Sequence, residues 1–450
     1  MEKQAEDTQP VPPEIVALER RTGRARTAGD LATLEGALFE LGRAYLNSGN
    51  VPKGLTQFEE GLEVSAETGN RQAQARFWGY KGIALTQLGN THFAQIALQK
   101  ARRLAQEVDD LPLLADCLIH LGQLQAAAGK TSRAIAKYEQ ALGISRDAGN
   151  RPRQMYAAAQ AAALFANMGA LEKAMEYYSV ALDAAERSGR RHAACSYHIA
   201  IGNVLLAGGE NELAVTRFEE ALELASTLEE RAAELDALSH LMRAHMATNR
   251  LRMATFYADN AIRLARESGA GDVELAQINL LTPYLLEQEQ YAQARPYLER
   301  GLALAQGQDN WMGQMTMSER LGYVHYQLGE FDQALAAYKE ALGFAQHIHE
   351  PAARARLLGR LSAVFAEQGA MDEAVTTADK ALALARENEN DDLIAEQQML
   401  LAFTYQDAGE IDKAITCCRE AISTYEQQEN EVLREQAEML LATLVEGSAG

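Results

Sequence analysis

Apolar and polar positions alternate at helical spacing along almost the whole chain, and the alternation is itself periodic. LGRAYLNSGN begins at Leu41, KGIALTQLGN at Lys81, LGQLQAAAGK at Leu121, IGNVLLAGGE at Ile201, LGYVHYQLGE at Leu321 and LAFTYQDAGE at Leu401. The spacing is a constant 40 residues over ten copies, without insertion or deletion. A period of this length marks a repeat array rather than a single compact core. Each copy predicts two amphipathic helices. Turn pairs beginning with Gly separate them, at 49–50, 89–90, 129–130, 209–210, 329–330, 369–370 and 409–410. Gly-Asn recurs after the second helix at 69–70 and 149–150, as a left-handed helix end requires.

Two columns of small residues run in phase. One is Gly54, Ala94, Ala134, Ala174, Ala214, Ala254, Ala294, Ala334, Ala374 and Ala414. The other is Gly61, Ala101, Ala141, Ala181, Ala221, Ala261, Gly301, Ala341, Ala381 and Ala421. Between them stands a bulky residue, often aromatic, such as Phe58, Tyr138, Tyr178, Phe218 or Tyr338. Small residues at fixed positions let neighbouring helices approach to about 8–10 Å, and the bulky residue fills the space they leave. Gly42, Gly82, Gly122, Gly202 and Gly322 lie inside the first helix. A mid-helix Gly costs about 1 kcal/mol against Ala, so close backbone approach is their expected use.

Leu41, Gly42 and Tyr45, followed by columns such as Ala134, Tyr138 and Ala141, resemble the tetratricopeptide consensus. The resemblance covers residues 31–430. It implies an all-α fold: a right-handed α-solenoid of about ten helical hairpins with capping helices. The proline that ends the second helix in that family is replaced here, by Ala66, Arg146 and Glu186 for example. The resulting 40-residue unit looks like the Pins/LGN-type scaffolds and some bacterial tetratricopeptide regulators.

The expected organisation has four parts: a disordered N-terminus over 1–10, an N-terminal capping helix over 11–30, ten units over 31–430, and a C-terminal capping helix and tail over 431–450. Pro52, Pro112, Pro152 and Pro351 fall just inside helix starts, where a missing N–H does no harm. Pro283 and Pro296 fall inside helices, and Met242 replaces the Gly of the preceding unit. An interior Pro costs about 3 kcal/mol and kinks a helix, so residues 240–300 are expected to form either a bend or soft joint or a kink that the neighbouring helices absorb.

Composition narrows the function. The net charge is −21, which repels phosphate backbones and anionic lipid. Residues 1–190 are balanced, with 22 basic and 22 acidic side chains, so the whole excess lies beyond them. A basic partner is therefore expected, and no nucleic acid. No apolar stretch is long enough to span a membrane, and MEKQAEDTQPVPPE has no apolar core of a signal peptide. Cys117, Cys195, Cys417 and Cys418 form no C-x-x-C pair. Buried thiols and a cytoplasmic location are expected.

No catalytic constellation emerges. Gly129-Lys130-Thr131 approaches a phosphate-binding loop, but Leu124 stands where its first Gly is needed and no strand precedes it. His192 with His198, and His347 with His349, lack the three or four converging ligands of a metal site. No metal and no cofactor is expected, and the chain reads as non-enzymatic.

Function is left to surfaces. By analogy with the family, the first helix of each unit turns the positions aligned with Phe39, Arg43, Leu46 and Asn47 into a concave groove. The candidate partner-binding residues are Arg43, Asn47, Gln123, Asn167, Asn203, Arg243, Asn279, Arg320, Tyr323, Tyr326 and Gln327. Asn and Gln can bond both N–H and C=O of an extended peptide, and Tyr offers rigid area with a polar tip. Arg356 and Arg360 add charge near the same face. The family's clamp for chaperone tails is missing, since its Lys positions hold Phe39, Gly79, Ile119, Ala159 and Ile199. The expectation is an interaction scaffold or adaptor that binds a protein or peptide segment in this groove. The alternative is a regulatory protein that senses a peptide or ligand, and self-association is open to an array with free ends.

Overall fold

The computed structural model describes the backbone of residues 12–448 and the side chains of residues 12–446. The expectation for residues 1–10 falls outside the described residues. The chain divides into two compact units, Met1–Thr248 and Asn249–Gly450. All regular structure among the described residues is helical.

In the first unit the helices are α1 (Pro13–Ala28), α2 (Leu31–Asn47), α3 (Val51–Glu67), α4 (Arg71–Gln87), α5 (Thr91–Glu107) and α6 (Leu111–Ala127). They continue with α7 (Thr131–Asp147), α8 (Arg151–Asn167), α9 (Leu171–Arg187), α10 (Arg191–Ala207), α11 (Asn211–Thr227) and α12 (Arg231–Ala247). The second unit holds α13 (Leu251–Glu267), α14 (Gly271–Glu287), α15 (Tyr291–Gly307), α16 (Trp311–Gln327) and α17 (Phe331–His347). It ends with α18 (Pro351–Glu367), α19 (Met371–Glu387), α20 (Asp391–Asp407), α21 (Ile411–Gln427) and α22 (Glu431–Ser448).

Local chemistry sets the helix ends. Asp30, Asn50, Asn70, Asp110, Asn150, Asn310 and Asn390 each accept a hydrogen bond from the backbone N–H three residues on, satisfying a donor the helix leaves free. At the other end one residue in every twenty takes positive φ, from Gly29 through Gly49 and Gly69 to Gly409. Gly49, at φ 79°, shows why: its N–H and that of Asn50 turn back onto Leu46 and Tyr45 carbonyls, a turn that only a left-handed residue closes. Asp109, Glu229, Asn249, Glu289, Asp309, His349, Glu389 and Glu429 take the same conformation without being Gly, which strains an L-residue.

Consecutive helices pack as antiparallel hairpins through the small-residue columns. Ala94, Ala134, Ala174 and Ala214 have no exposed surface, and Phe58, Phe218, Tyr138 and Tyr338 are buried beside them. A Cβ built on Gly42 would lie 2.4 Å from Phe58, on Gly122 2.6 Å from Tyr138, on Gly202 2.4 Å from Phe218, and on Gly322 2.6 Å from Tyr338. The first-helix Gly is thus a socket for the ring of its own second helix. Near the end of the second unit the pair is more even in bulk: Ala402 stands at the Gly position and Cys418 at that of the ring, and both belong to one apolar cluster. All four cysteines are free and buried.

Neither interior proline ends its helix: α14 runs through Pro283 and α15 through Pro296. Each proline removes one backbone donor, and the surrounding turns carry the helix on. Thr282 occupies the socket position of α14 and is fully buried. With that bulk in place, α14 and α15 make less extensive contact than α16 and α17, which have Gly322 there. The division of the chain itself falls earlier, directly after α12, the helix that carries Met242.

Candidate functional site

Within the first unit the even-numbered helices form their own layer: α2 touches α4, α4 touches α6, α6 touches α8, and α10 touches α12. In the second unit α18 touches α20. The odd-numbered helices make no contact of that extent with one another among the described residues. The even layer is the tighter one, and it holds every candidate residue.

In the first unit Arg43 is exposed on α2, its guanidinium 5.8 Å from the ring centres of both Phe39 and Tyr80. A small cavity of about 110 Å³ beside Phe39 is lined by Glu35, Arg76 and Asn70. Gln123 is half-buried: it donates to the Tyr156 hydroxyl at 2.6 Å, and its carbonyl lies 2.8 Å from His120 Nδ1. Burial holds the His120 pKa down, which favours its neutral ring. Asn47, Asn167 and Asn203 are exposed and Arg243 likewise. The first two end their helices, so they edge the layer rather than occupy its centre. Asp116 and Arg153 join α6 to α8 through two hydrogen bonds of 2.6 Å, a bidentate pair that fixes spacing between units.

In the second unit the candidates gather more closely. Arg320 on α16 donates to Asn279 Oδ1 at 3.1 Å and Thr282 Oγ1 at 3.0 Å, both on α14. Its pKa is pushed down by burial, against a smaller opposing effect of Glu319. Tyr323 lies 5.8 Å from the Arg360 guanidinium of α18 and packs edge-on against Tyr291. The Tyr326 hydroxyl donates to Glu367 Oε1 at 3.2 Å, and Gln327 is exposed at the helix end. Asn279 and Arg320 therefore form one contact, with Tyr323 and Tyr326 on the same helix as Arg320, whereas the six candidates of the first unit stand on five separate helices.

Tyr80 and Tyr156 belong to the same face and are absent from the sequence-derived set. Their signal was the register: Tyr80 stands in the column of Arg320 and Arg360, and Tyr156 in that of Arg356. Larger cavities are found off this face. One of about 570 Å³ sits among α9, α10 and α11 beside His198, Glu186 and Glu220.

Among the described residues no group of three or more His, Cys, Asp or Glu is arranged to hold a metal ion, and no helix is long and apolar enough to cross a membrane.

Family models described as tetratricopeptide repeat match residues 73–147, 284–347 and 313–387, and a further one matches residues 398–428. No curated protein matches the chain in sequence. Among solved structures the apo form of RapI is similar over 74% of this chain and 98% of its own, at 12% identity and TM-score 0.50. BtubC (BKLC) from P. vanneervenii is 21% identical over 49% of this chain and 93% of its own, with TM-score 0.41. A signal transduction ATPase with numerous domains and a tetratricopeptide repeat sensor, from Pyrococcus horikoshii, is 16% identical with TM-score 0.49; 85% of this chain spans 57% of that one. At these identities the likeness concerns fold alone, and the nearer resemblance to Pins/LGN-type scaffolds is not supported by it. In-phase helical hairpins, small-residue sockets and the matched segments agree: this chain carries tetratricopeptide repeats.

Proposed function

We propose that the chain is a protein-interaction or regulatory scaffold whose even-numbered helices receive a segment of a partner protein. The fold is one that generally serves as a non-enzymatic interaction scaffold. The observation that carries the reading is the chemistry of the even layer. Arg43, Asn167, Asn203 and Arg243 are exposed there, and Gln123, Asn279, Tyr323 and Tyr326 are met by other side chains of that layer or its edge. Side chains held this way are pre-organised, so little rotamer freedom is lost on binding. The acidic excess attracts a basic partner at long range, while the accepted segment is decided by the side chains at the face. The buried free thiols suit a cytoplasmic setting.

The test is co-purification from native cells with mass spectrometry, repeated with Arg243→Glu combined with Tyr323→Ala. Loss of the partner identified with wild-type protein is expected. Unchanged capture by a folded variant would refute binding at this face.

A further inference from the structure

One register of the repeat brings side chains of successive odd-numbered helices together. Arg26 of α1 and Glu60 of α3 meet there at 2.7 Å, and Arg386 of α19 and Glu420 of α21 at 3.0 Å. Arg266 of α13 and Arg300 of α15 occupy the same register with like charge, and Glu274 of the helix between lies 2.8 Å from each. Glu186 of α9 and Glu220 of α11 are the remaining place where both positions are charged. Both are acidic, and the position of Glu274 holds Ala194. We propose that the cavity among α9, α10 and α11 binds a guanidinium group, which sits between Glu186 and Glu220 as Glu274 sits between Arg266 and Arg300, with every sign reversed. The inference does not depend on the even layer being the partner face.

The small size of Ala194 makes the room. It lines the cavity of about 570 Å³, together with Glu186, Glu220 and Glu223. In other units this position carries a longer side chain that turns back onto the preceding helix. Gln74, Gln154 and Gln314 donate to the carbonyls of Ser65, Ser145 and Ala305 at 2.8, 2.9 and 3.3 Å. Ala194 has no such reach. The volume falls within the roughly 300–1,000 Å³ of ligand pockets, and Ala194 and Leu224 offer apolar wall for the stem of an arginine.

The cavity is lined by acceptors in search of donors. His198 is 8% exposed and lines it. Its Nδ1 lies 3.0 Å from Glu220 Oε2, which favours the ring proton there and leaves Nε2 an acceptor. Nε2 receives no hydrogen bond among the described residues, and Glu186 Oε1, an acceptor itself, is 4.0 Å away. Burial lowers the His198 pKa against the opposing pull of Glu220, so the ring is neutral at pH 7. Arg217 approaches the same Oε2 of Glu220 at 2.8 Å, which leaves Oε1 open. Arg191 also lines the cavity, yet Arg191 and Arg217 together do not neutralise three carboxylates. Among the described residues these groups are not arranged to hold a metal ion. A guanidinium has five N–H donors in one plane and no acceptor. It is the complement of two carboxylates and a bare ring nitrogen.

The test uses the full chain, titrated by calorimetry at low ionic strength. The probes are Nα-acetylarginine amide, its neutral isostere Nα-acetylcitrulline amide, Nα-acetyllysine amide, and an end-blocked Gly-Gly-Arg-Gly-Gly peptide. Saturable binding of the arginine amide is expected, with Kd of about 1 mM or below. It should weaken by on the order of tenfold or more in Glu186→Gln/Glu220→Gln, as the loss of charge-assisted hydrogen bonds implies. Ala194→Gln restores the side chain that Gln154 carries and should abolish binding, with a thermal midpoint no lower than that of wild type. Circular dichroism checks the fold of both variants. Tighter binding of the peptide than of the amide assigns the guanidinium to a partner segment, and equal binding assigns a free guanidino compound. Absence of saturable binding, equal binding of the citrulline or lysine amide, or undiminished binding by either folded variant would overturn the proposal.

Discussion

The socket glycines yield a prediction whose sign reverses between two positions of one repeat family. Gly42→Ala places a Cβ 2.4 Å from Phe58 Cε1, 2.8 Å from Cδ1 and 2.9 Å from Cζ. Ordinary carbon contacts begin near 3.5 Å, so the ring must retreat by about an ångström. Phe58 is fully buried and packs against Phe77 and Tyr80, with centroids 6.5 and 5.6 Å away, which leaves little room to retreat. Overpacking of this kind costs about 1–3 kcal/mol, and better helix propensity returns about 1 kcal/mol. A net loss of up to about 2 kcal/mol is expected for Gly42→Ala. Gly143 also lies inside a helix, but it is exposed and a Cβ there meets nothing within 4 Å. Gly143→Ala should therefore gain about 1 kcal/mol. Repeat arrays need not unfold in one step, so the assay is hydrogen–deuterium exchange of α2–α3 and of α7 beside urea unfolding. Phe58→Leu is combined with Gly42→Ala in a double-mutant cycle, and the smaller side chain should recover part of the loss. Equal or greater protection in Gly42→Ala than in wild type would refute the socket.

Glu274 is buried, with Arg266 and Arg300 both 2.8 Å away. Glu274→Ala should cost about 1–3 kcal/mol, less than the 3–5 kcal/mol of a wholly buried pair, because both guanidiniums stay about half exposed. Hydrogen bonding by Arg300 first, then Arg266, lowers the Glu274 pKa. Its contribution is present above the unfolded carboxyl value of about 4.3 and is lost as pH falls through the folded one. The thermal midpoint of wild type should thus fall more steeply on acidification than that of Glu274→Gln; parallel curves would contradict this. Burial first and foremost raises the Cys117 thiol to about 12, and those of Cys417 and Cys418 to about 11. Native protein should react slowly with a disulfide reagent at pH 8 and release all four thiols in guanidinium; fast titration of the native chain would count against this packing. At the strained corners, Glu229→Gly or Glu389→Gly should raise stability by about 1 kcal/mol, since each now holds positive φ. A drop in urea midpoint would count against the left-handed assignment.

Helix number, boundaries and pairing were legible because each depends on a local rule repeated in phase. Asn50, Asn70 and Asn150 cap, Gly49 and Gly69 turn, and Ala134 and Ala174 pack. Eight corners lacked the Gly signal, yet kept register because the flanking helices impose the turn. Pro283 and Pro296 each remove one backbone donor from helices that nevertheless run on past them. Local rules gave no warning of Glu274: its charge is acceptable only because Arg266 and Arg300 arrive from α13 and α15, eight residues before and twenty-six after it. The candidate residues could be named as columns, since the repeat fixes which positions of successive helices correspond. Its internal bonding was not. That Gln123 meets Tyr156, and that Arg320 meets Asn279 instead of an acid, depends on side-chain rotamers across units.

Rods of 17 residues joined by three-residue corners, as at Asn47 to Val51 or Gln87 to Thr91, restrict how such a chain can change length. One residue added within a rod turns everything beyond it by about 100°, carrying Ala and aromatic side chains out of their sockets together. Removal of a whole period rejoins like to like. Growth and loss are thus confined to whole modules, and recognition can be lengthened or shortened a unit at a time while each surviving unit keeps its own seat.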